Sequence, residues 1–515
     1  MFDPSSRALL RQAPDLPGLD PETLDELLTA AHIELATVRL LSREGEPEAA
    51  SDVLDRVRRL ASTFEAYVAL NLRPEQTRAA AFVAASAHQI LSRVRETALD
   101  RPTVVSGDAI GSSISATLLF LIADRAADAA EVAGQLRARG EGRAVRRSLI
   151  LSLRELATGN LTTLTERDLS EDPIATGDSR EVATDLLLRE CAYVVQGLGQ
   201  EARGSAVSDP DIRSRLKRVI RLSEASAVEI NLALEGTVHH QFAGPHHLAT
   251  LLSRLVDGMQ AAMLVRLPTP SGAQPKAWGD WLLSQTHSRP FLWINHLKAV
   301  RTGYLNRGRS MVMTSPTGSG KTTLSVLKIA ATLCAGESVV YLAPTHALVD
   351  QVETDLSAQI GGLEVVSVVE DVALEELGDR LPSFSVMTPE RCLALLGFAP
   401  ELFDKVGLLV FDEFHLISAD DPATSSKVSA RAIDAMLALL TFLRHRKEAD
   451  LLLLSAMVAN GAEIARWLRA VTGREVEAFD DPWKPTRQLR SCVIYDRSDV
   501  LKAAQAASKE KTQAA

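Results

Sequence analysis

The sequence predicts two architectures in one chain, an all-helical region at the amino end followed by an α/β domain with a mostly parallel sheet. Apolar residues at helical spacing dominate residues 1–267, and no repeat of fixed period accompanies them. After a stretch rich in Pro and Gly, short apolar runs alternate with helical stretches. Strands that are apolar throughout are typical of parallel sheets covered by helices on both faces.

The helical region opens with a helix-start signal. Asp20 offers a capping side chain, Pro21 stands where no amide donor is required, and Glu22 follows near the positive end of the helix. Three stripes of apolar residues then repeat at helical spacing, namely Leu24, Leu27, Leu28, Ala31 and Leu35; Val53, Val57, Leu60, Phe64 and Val68; and Leu248, Leu251, Leu252 and Leu255. We therefore predict an irregular α-helical accessory domain over residues 1–267.

The rest of the chain divides into a linker, an α/β domain and a tail. Residues 268–287 are predicted to be a linker, because residues 268–275 are too rich in Pro and Gly for a helix or a strand. The α/β domain is predicted over residues 288–495, with a frayed tail over residues 496–515. Its candidate strands are residues 311–314, 339–343, 365–369, 384–387, 408–411 and 451–454.

Composition excludes several classes of protein. The 515 residues are 46% apolar and 24% charged, which is typical of globular proteins and excludes wholesale disorder. A net charge of −10 excludes a polycationic nucleic-acid binder, so any nucleic-acid surface must be a local patch. The four cysteines form no metal-type pair, and neither a signal peptide nor an apolar span long enough for a bilayer is present. We expect a cytoplasmic protein that does not contact membranes.

A phosphate-binding pattern follows the first candidate strand. Residues 315–322 read Ser-Pro-Thr-Gly-Ser-Gly-Lys-Thr. Glycines let the backbone curl so that its amides point inward, and the start of a helix adds positive potential. Lys321 would reach the terminal phosphates, and Thr322 would offer its hydroxyl to Mg²⁺. A Gly-rich turn with an incidental lysine is the alternative.

A pair of acids ends a later apolar run. Asp412 and Glu413 follow the candidate strand 408–411, at the edge of the sheet where ligands bind in this kind of fold. Asp412 is placed to hold Mg²⁺, and Glu413 to orient and deprotonate an attacking water. The alternative is a solvated loop start. A phosphate loop upstream in the same domain favours the catalytic interpretation.

Together with three further segments, these motifs resemble those of the superfamily 2 DExH-box helicases. Residues 315–322 resemble motif I, 343–351 motif Ia, 388–390 motif Ib, 412–415 motif II and 455–457 motif III. Residues 460–468 and 483–495 are similar to the Ski-like branch of that superfamily. The resemblance covers residues 288–495 and none of the helical region. It implies a RecA-like P-loop NTPase domain that uses ATP and Mg²⁺ and acts on DNA or RNA.

The resemblance also implies roles for individual residues. The ATP-binding residues are Ser315, Pro316, Thr317, Gly318, Ser319, Gly320, Lys321, Thr322 and Thr323. The catalytic residues are Lys321, Asp412 and Glu413, and the metal ligands are Thr322 and Asp412. The nucleic-acid contacts are Pro344, Thr345, Thr388 and Pro389, and the residues that couple hydrolysis to movement are His415, Ser455 and Met457. A helix start at Thr388 and Pro389, and a packed histidine at His415, are the alternatives from the residues alone.

The sequence departs from the family pattern at three points. His296 stands at the expected adenine-reading glutamine, Met457 replaces the motif III threonine, and no second RecA-like domain precedes residue 515. We therefore expect a motor lobe that is weak or inactive alone, with a partner or a further segment supplying the second lobe. The alternatives are an ATP-gated nucleic-acid or partner-binding module that does not unwind, and a structural subunit with a vestigial ATP site.

A group of four histidines lies just before the last apolar stripe of the helical region. His239, His240, His246 and His247 surround the sequence Phe-Ala-Gly-Pro. Neither a cysteine nor a nearby carboxylate completes a zinc-binding set. We interpret the group as a polar loop that enters the helix around Leu248.

Overall fold

A computed structural model describes residues 21–43, 51–70, 74–95, 102–205, 211–224, 242–360, 362–417, 430–456 and 460–485. Over these residues the helical region and the α/β domain are both present, as the sequence predicts. Among the described residues, no helix is long and apolar enough to cross a bilayer.

The helical region packs around its own apolar core, which is formed by buried residues between Leu28 and Met263. Its helices are α1 Pro21–Arg43, α2 Ser51–Leu70, α3 Pro74–Arg95, α4 Ser112–Ile122, α5 Ala126–Ala133, α6 Ala144–Thr158, α7 Leu161–Glu166, α8 Ser179–Ala202, α9 Ile212–Ser223 and α10 Ala243–Ala262. Helix α4 is apolar on nearly every side and lies inside the core, which explains why its sequence shows no polar face.

The α/β domain contains a seven-stranded sheet in the order β3-β4-β2-β5-β6-β1-β7. Every pairing is parallel. The strands are β1 Ser310–Thr314, β2 Ser338–Leu342, β3 Val366–Val368, β4 Phe384–Met387, β5 Val406–Phe411, β6 Asp450–Ser455 and β7 Val476–Asp480, and the helices are α11 Pro275–Gln285, α12 Ile294–Arg301, α13 Lys321–Cys334, α14 His346–Ile360, α15 Pro389–Phe398, α16 Ala430–His445 and α17 Gly461–Thr472.

Both faces of this sheet are buried. Met311 and Met313 of β1 enter one core together with α13, while Val312 enters the other core on the opposite face. The central strands are buried along their whole length, which confirms the expectation drawn from their continuous apolar runs. All of the predicted strands are present within two residues of their predicted ends.

Strand β7 is absent from the sequence prediction. It lies at one edge of the sheet beside β1, and only Val476 and Phe479 of this strand are buried. An edge strand needs an apolar residue only where its side chain faces the core, so β7 gives a weak signal in the sequence.

The structure also differs from the prediction over residues 268–287. Residues 268–274 form a loop, but the remainder contains α11, whose Trp278 and Trp281 are buried in the core of the α/β domain. Most of this segment is therefore part of the domain and not a free connector. The division of the chain at residues 267 and 495 stays a prediction.

The histidine group is not the polar loop that the sequence suggested. His246 and His247 lie inside α10 and are buried, while His239 and His240 lie outside the described residues. The ring of His247 is hydrogen-bonded to the Glu65 carboxylate of α2, and His88 of α3 contacts the other oxygen of that carboxylate at 2.6 Å. Burial by itself would raise the pKa of Glu65, but the two histidine rings outweigh burial and hold that pKa below its ordinary value.

Replacing Glu65 is expected to destabilise the helical region. The Glu65→Ala variant should lose about 3 kcal/mol of unfolding free energy at neutral pH, because it leaves two buried imidazoles without their shared acceptor. Since the folded pKa of Glu65 is depressed, its contribution is present above the unfolded value of about 4.3 and is lost as the pH falls below it. Urea denaturation followed by circular dichroism measures the change. Glu131→Ala, which removes an exposed pair with Arg93, serves as control, and equal losses in the two variants would contradict the prediction.

Candidate nucleotide and nucleic-acid site

The turn that the sequence predicts to bind phosphate, named here the phosphate-binding turn, connects β1 to α13. Residues 315–320 bridge the two elements, and α13 begins at Lys321. Gly318 and Gly320 have φ angles of 81° and 84°, in the left-handed region that favours glycine. The turn therefore leads directly into the amino end of a helix, where backbone N–H groups are without intrahelical partners.

Helix α12 supports this turn from inside the domain. The side-chain amide of Asn295 donates a hydrogen bond to the Ser319 carbonyl at 2.7 Å. His296 is buried directly against Gly320, where an added Cβ would lie 2.3 Å from its Nε2 atom. Burial lowers the pKa of His296 to about 4, so the ring is neutral at physiological pH. Trp293 stacks on the same ring with centroids 5.1 Å apart.

Lys321 lies near both acids of the candidate site. Its ammonium group donates to the Ser315 carbonyl at 2.9 Å. Burial lowers the pKa of Lys321, and the negative charges of Glu413 and Asp412 partly offset that effect. The hydroxyls of Ser315 and Ser319 are buried and have no hydrogen-bond partner within the described parts of the chain. Orphaned polar groups in a turn of this kind fit a site that is completed by a polar ligand.

Asp412 directly follows β5 and is held by two hydrogen bonds. The Tyr341 hydroxyl, from the neighbouring strand β2, donates to one carboxylate oxygen at 2.7 Å, and the Glu413 amide donates to the other at 2.9 Å. Burial raises the pKa of Asp412, and the Tyr341 hydrogen bond opposes that increase. Sequence reasoning missed Tyr341, because nothing in an apolar strand shows which hydroxyl will meet a carboxylate on the next strand.

Glu413 has an unusual backbone conformation. Its φ angle is 47°, in a region that non-glycine residues adopt at a cost of about 1–3 kcal/mol, typically at functional sites. Its carboxylate lies 3.1 Å from Nδ1 of His415, and that nitrogen lies 3.3 Å from the hydroxyl of Ser455. Ser455 ends β6 and pairs in register with Thr314, the last residue of β1. The predicted coupling residue Met457 lies outside the described residues.

The four predicted nucleic-acid residues lie in two different environments. Pro344 and Thr345 follow β2 and are partly exposed, whereas Thr388 and Pro389 follow β4 and are buried. The Thr388 hydroxyl donates to Glu370 at 2.7 Å and caps α15 by accepting the Arg391 amide. The alternative of a helix start at Thr388 is therefore confirmed. The Thr388 side chain is engaged within the fold, and a helix start does not exclude a phosphate contact, so the nucleic-acid role of Thr388 and Pro389 stays a prediction.

The predicted motifs are brought to one edge of the sheet. The phosphate turn, Asp412, Ser455 and Thr345 follow the carboxyl ends of β1, β5, β6 and β2, which are neighbours in the sheet. Parallel strands necessarily end on the same edge, and this edge is where α/β sheets bind ligands. Residues 295–464 match the family model for the DEAD/DEAH box helicase. These residues form a DEAD/DEAH box helicase domain of superfamily 2. We call the whole α/β domain that includes them the helicase domain.

The helicase domain is similar to parts of several curated proteins. The match to the ATP-dependent DNA helicase Hel308 of Thermococcus kodakarensis is 30% identical over 200 residues, which are 38% of this chain and 16% of that protein. The match to the Hachiman protein HamB of Bacillus cereus is 26% identical over 194 residues, 36% of this chain and 16% of that protein. Each match thus spans about a sixth of the relative's length.

Solved structures also resemble part of the chain. The helicase MrfA bound to DNA and AMPPNP is 19% identical and has a TM-score of 0.32, over 42% of this chain and 30% of that one. The helicase domain of Pyrococcus furiosus Hef is 21% identical and has a TM-score of 0.27, over 36% of this chain and 37% of that one.

The residues of the helicase domain fit a magnesium ion. Asp412 presents a carboxylate that two hydrogen bonds fix, and Thr322, in the first turn of α13, is exposed and offers its hydroxyl. Mg²⁺ prefers such hard oxygen ligands and binds through few protein groups together with phosphates and water.

Replacing Tyr341 by Phe is expected to weaken Mg²⁺-dependent nucleotide binding. The substitution removes one hydroxyl and releases the Asp412 carboxylate from its fixed orientation. Ordering a side chain costs about 0.5–1.5 kcal/mol, so the Mg²⁺ concentration at half-maximal binding should rise about three- to tenfold. Titration of Mg²⁺ against a fluorescent ATP analogue measures this concentration.

Tyr304→Phe is the matched control for that titration. Tyr304 is also buried, and its hydroxyl donates to the backbone carbonyl of Leu324 in α13. An unchanged or lower Mg²⁺ requirement in Tyr341→Phe would show that the hydroxyl does not orient Asp412 for the metal.

Proposed function

We propose that the helicase domain is a DExH-type motor lobe that binds ATP with Mg²⁺ and hydrolyses it to move along DNA or RNA. The observation that carries this proposal is the convergence of Lys321, Asp412 and Glu413 at one edge of the sheet. A cation and two carboxylates beside a phosphate-binding turn are the set that phosphoryl transfer requires.

Each residue of this set has a distinct role in the proposal. Lys321 binds the terminal phosphates after leaving the Ser315 carbonyl, and the turn amides bind the remaining phosphate oxygens. Thr322 and Asp412 hold Mg²⁺, which neutralises charge on the phosphates when it is bound. Glu413 orients the attacking water and accepts its proton. The remaining members of the ATP-binding set are Ser315, Pro316, Thr317, Gly318, Ser319, Gly320 and Thr323.

Hydrolysis is linked to movement in this proposal by the contacts of His415. Its ring contacts both the Glu413 carboxylate and the Ser455 hydroxyl, so a change at the base reaches the end of β6. Residues 455–457 resemble motif III, and the nucleic-acid track is proposed over Pro344, Thr345, Thr388 and Pro389. A short hydroxyl and a backbone suit phosphate contacts, which position a strand without reading bases.

Full activity is proposed to require a second RecA-like lobe, supplied by a partner or by another segment. An arginine finger contributes about 10³–10⁵ in rate in related phosphoryl-transfer sites. Closure on the nucleotide requires two lobes, so we expect the described lobe alone to hydrolyse ATP slowly. We also propose that the domain belongs to the Ski-like branch, on the basis of residues 460–468. A cytoplasmic location is proposed because the four cysteines are far apart in the sequence and suit a reducing compartment.

An ATP-gated binding module is the second candidate function. Met457 stands at the position of the motif III threonine and lacks the hydroxyl that helps to link hydrolysis to strand movement. In this alternative, ATP changes the grip on nucleic acid or a partner without unwinding. Strand displacement by the chain together with a second-lobe partner would exclude the alternative.

The Glu413→Gln variant is expected to lose turnover and keep its nucleotide. Removing the general base should lower ATP turnover about 10²-fold or more, while the affinity for a fluorescent ATP analogue changes less than about threefold. Phosphate release is measured with and without single-stranded DNA and RNA. Glu477→Gln, at an exposed position of β7, is the matched control and should behave as the wild type. Equal turnover in the two variants would contradict the role of Glu413.

The polymer arms of that experiment test the substrate class. Stimulation by DNA alone, or by RNA alone, identifies the track that the lobe binds. Nucleotide binding without turnover in any arm would favour the ATP-gated module. If Lys321→Ala binds the ATP analogue as tightly as the wild type, nucleotide binding at this turn is refuted. That result would favour a structural subunit.

Weak discrimination between ATP and GTP is also expected. His296 occupies the place of the adenine-reading glutamine, but it is buried and its Nδ1 accepts the Trp293 amide at 3.3 Å. Nδ1 is therefore engaged within the fold, and Nε2 is buried against Gly320 and not directed to a base. Competition of GTP against the fluorescent ATP analogue should give apparent affinities within about fivefold of those for ATP, since one hydrogen bond contributes about 1 kcal/mol and so accounts for no larger ratio. A preference of about a hundredfold, equivalent to several such bonds, would show that another group reads the base.

A further inference from the structure

A turn of the helical region reaches into the helicase domain beside the phosphate-binding turn. Asp124 and Arg125 lie between α4 and α5. The Asp124 carboxylate accepts the Ile294 amide at 3.1 Å, and the Arg125 guanidinium donates to the Lys484 carbonyl at 3.4 Å. These two neighbouring residues thus contact two segments of the helicase domain that are far apart in the sequence.

The contact of Asp124 is a helix cap supplied from another part of the fold. Ile294 is the first residue of α12, and its amide has no intrahelical acceptor. A carboxylate at this end of a helix is favoured by the helix dipole. Asp124 has a φ angle of 57°, which a non-glycine residue adopts at a cost, and its carboxyl is largely buried. The surrounding fold therefore stabilises a strained residue at this point.

Arg125 also contacts a residue of the helical region itself. Its guanidinium lies over the Phe82 ring of α3, 5.6 Å from the ring centroid. Such a contact restricts the side chain while leaving its N–H groups available to the Lys484 carbonyl. The turn is therefore anchored in the helical core and extended toward residues 481–485.

Of the two contacted segments, α12 contacts the phosphate-binding turn directly, and residues 481–485 are connected to the turn through α12. Helix α12 holds the turn through Asn295 and His296. The second segment packs on the first, because Trp483 lies 5.6 Å from Trp293 between ring centroids and Asp481 pairs with Lys298 at 2.8 Å. A shift of either segment would therefore be transmitted to the residues that hold the turn.

We propose that the helical region controls nucleotide affinity through Asp124 and Arg125, which position α12 and residues 481–485 behind the phosphate-binding turn. The two residues are positioning residues that do not contact the nucleotide. The inference rests on the proposed nucleotide site. Because coupling is reciprocal, nucleotide binding also tightens the contact of the helical region, so whatever displaces that region lowers the affinity for nucleotide.

Asp124→Ala tests the proposal against two matched variants of the full chain. It should raise the Kd of a fluorescent ATP analogue and the KM for ATP about five- to tenfold, while kcat at saturating ATP stays within about twofold. Asp124→Asn should remain near wild type, because asparagine keeps a side-chain acceptor and tolerates the left-handed conformation. Asp108→Ala is the control for loss of an aspartate in the helical region, since Asp108 pairs there with Arg180 at an exposed site.

A purely structural role predicts a different pattern. Asp124→Ala would then lower the thermal stability and leave Kd and KM equal to those of Asp108→Ala, which would overturn the proposal. If Asp124→Ala fails to fold, hydrogen exchange of the wild type decides. Nucleotide should slow amide exchange at residues 120–126 and at Ile294, and unchanged exchange there would overturn the proposal.

Lys321→Ala separates this inference from the proposed function. A wild type that binds the ATP analogue no better than Lys321→Ala refutes the nucleotide site itself. A wild type that binds it, together with an Asp124→Ala variant of equal affinity and equal KM, refutes only the control by the helical region.

Discussion

The hydrogen bond from Asn295 to the Ser319 carbonyl is the interaction on which the rest of the candidate site depends. The phosphate-binding turn contains two residues in left-handed conformations and little side-chain mass, so its shape is set from outside. Asn295 and His296 provide that support on one side, and β1 provides it on the other. Glycine at position 320 satisfies two demands at once, a positive φ and the close approach of the His296 ring. The support leaves the amides and hydroxyls of the turn available for a ligand.

The sheet positions the two carboxylates proposed to be catalytic in the same way, through support from neighbouring residues. Asp412 is oriented by Tyr341 on the adjacent strand, and Glu413 is held in a strained conformation that contacts His415. At the amino ends of the strands, on the side opposite to the candidate site, buried Lys328 of α13 pairs with Asp450, the first residue of β6. Because Lys328 is in the helix that begins at the phosphate turn, that buried pair fixes the far half of the same helix. A buried ion pair that lost one partner would leave an uncompensated charge, so this anchor resists sliding of α13.

The sequence could predict what depends on local pattern. Short, mostly apolar runs predicted β1 to β6, and the glycines before Lys321 predicted the turn, because buried strands and phosphate turns each impose residue types on a short stretch of chain. It could not predict contacts between distant residues that follow from packing. Tyr341 lies in an apolar strand, and Asp124 is 170 residues from its amide partner. The polar appearance of His246 and His247 misled for the same reason, since Glu65 on another helix makes the burial of His247 favourable.

Through these contacts, the helical region supports the helix that holds the proposed nucleotide site. A phosphate turn supported by α12 is only as well ordered as α12 itself, and a helix of eight residues is marginal without capping and packing. Trp293 at its N-cap position makes no side-chain cap, so the carboxylate of Asp124 supplies the acceptor that the local sequence lacks. The strained backbone of Asp124 is tolerated because its carboxylate caps α12 there. The helicase domain and the helical region are thus joined at α12, the short helix that holds the phosphate-binding turn.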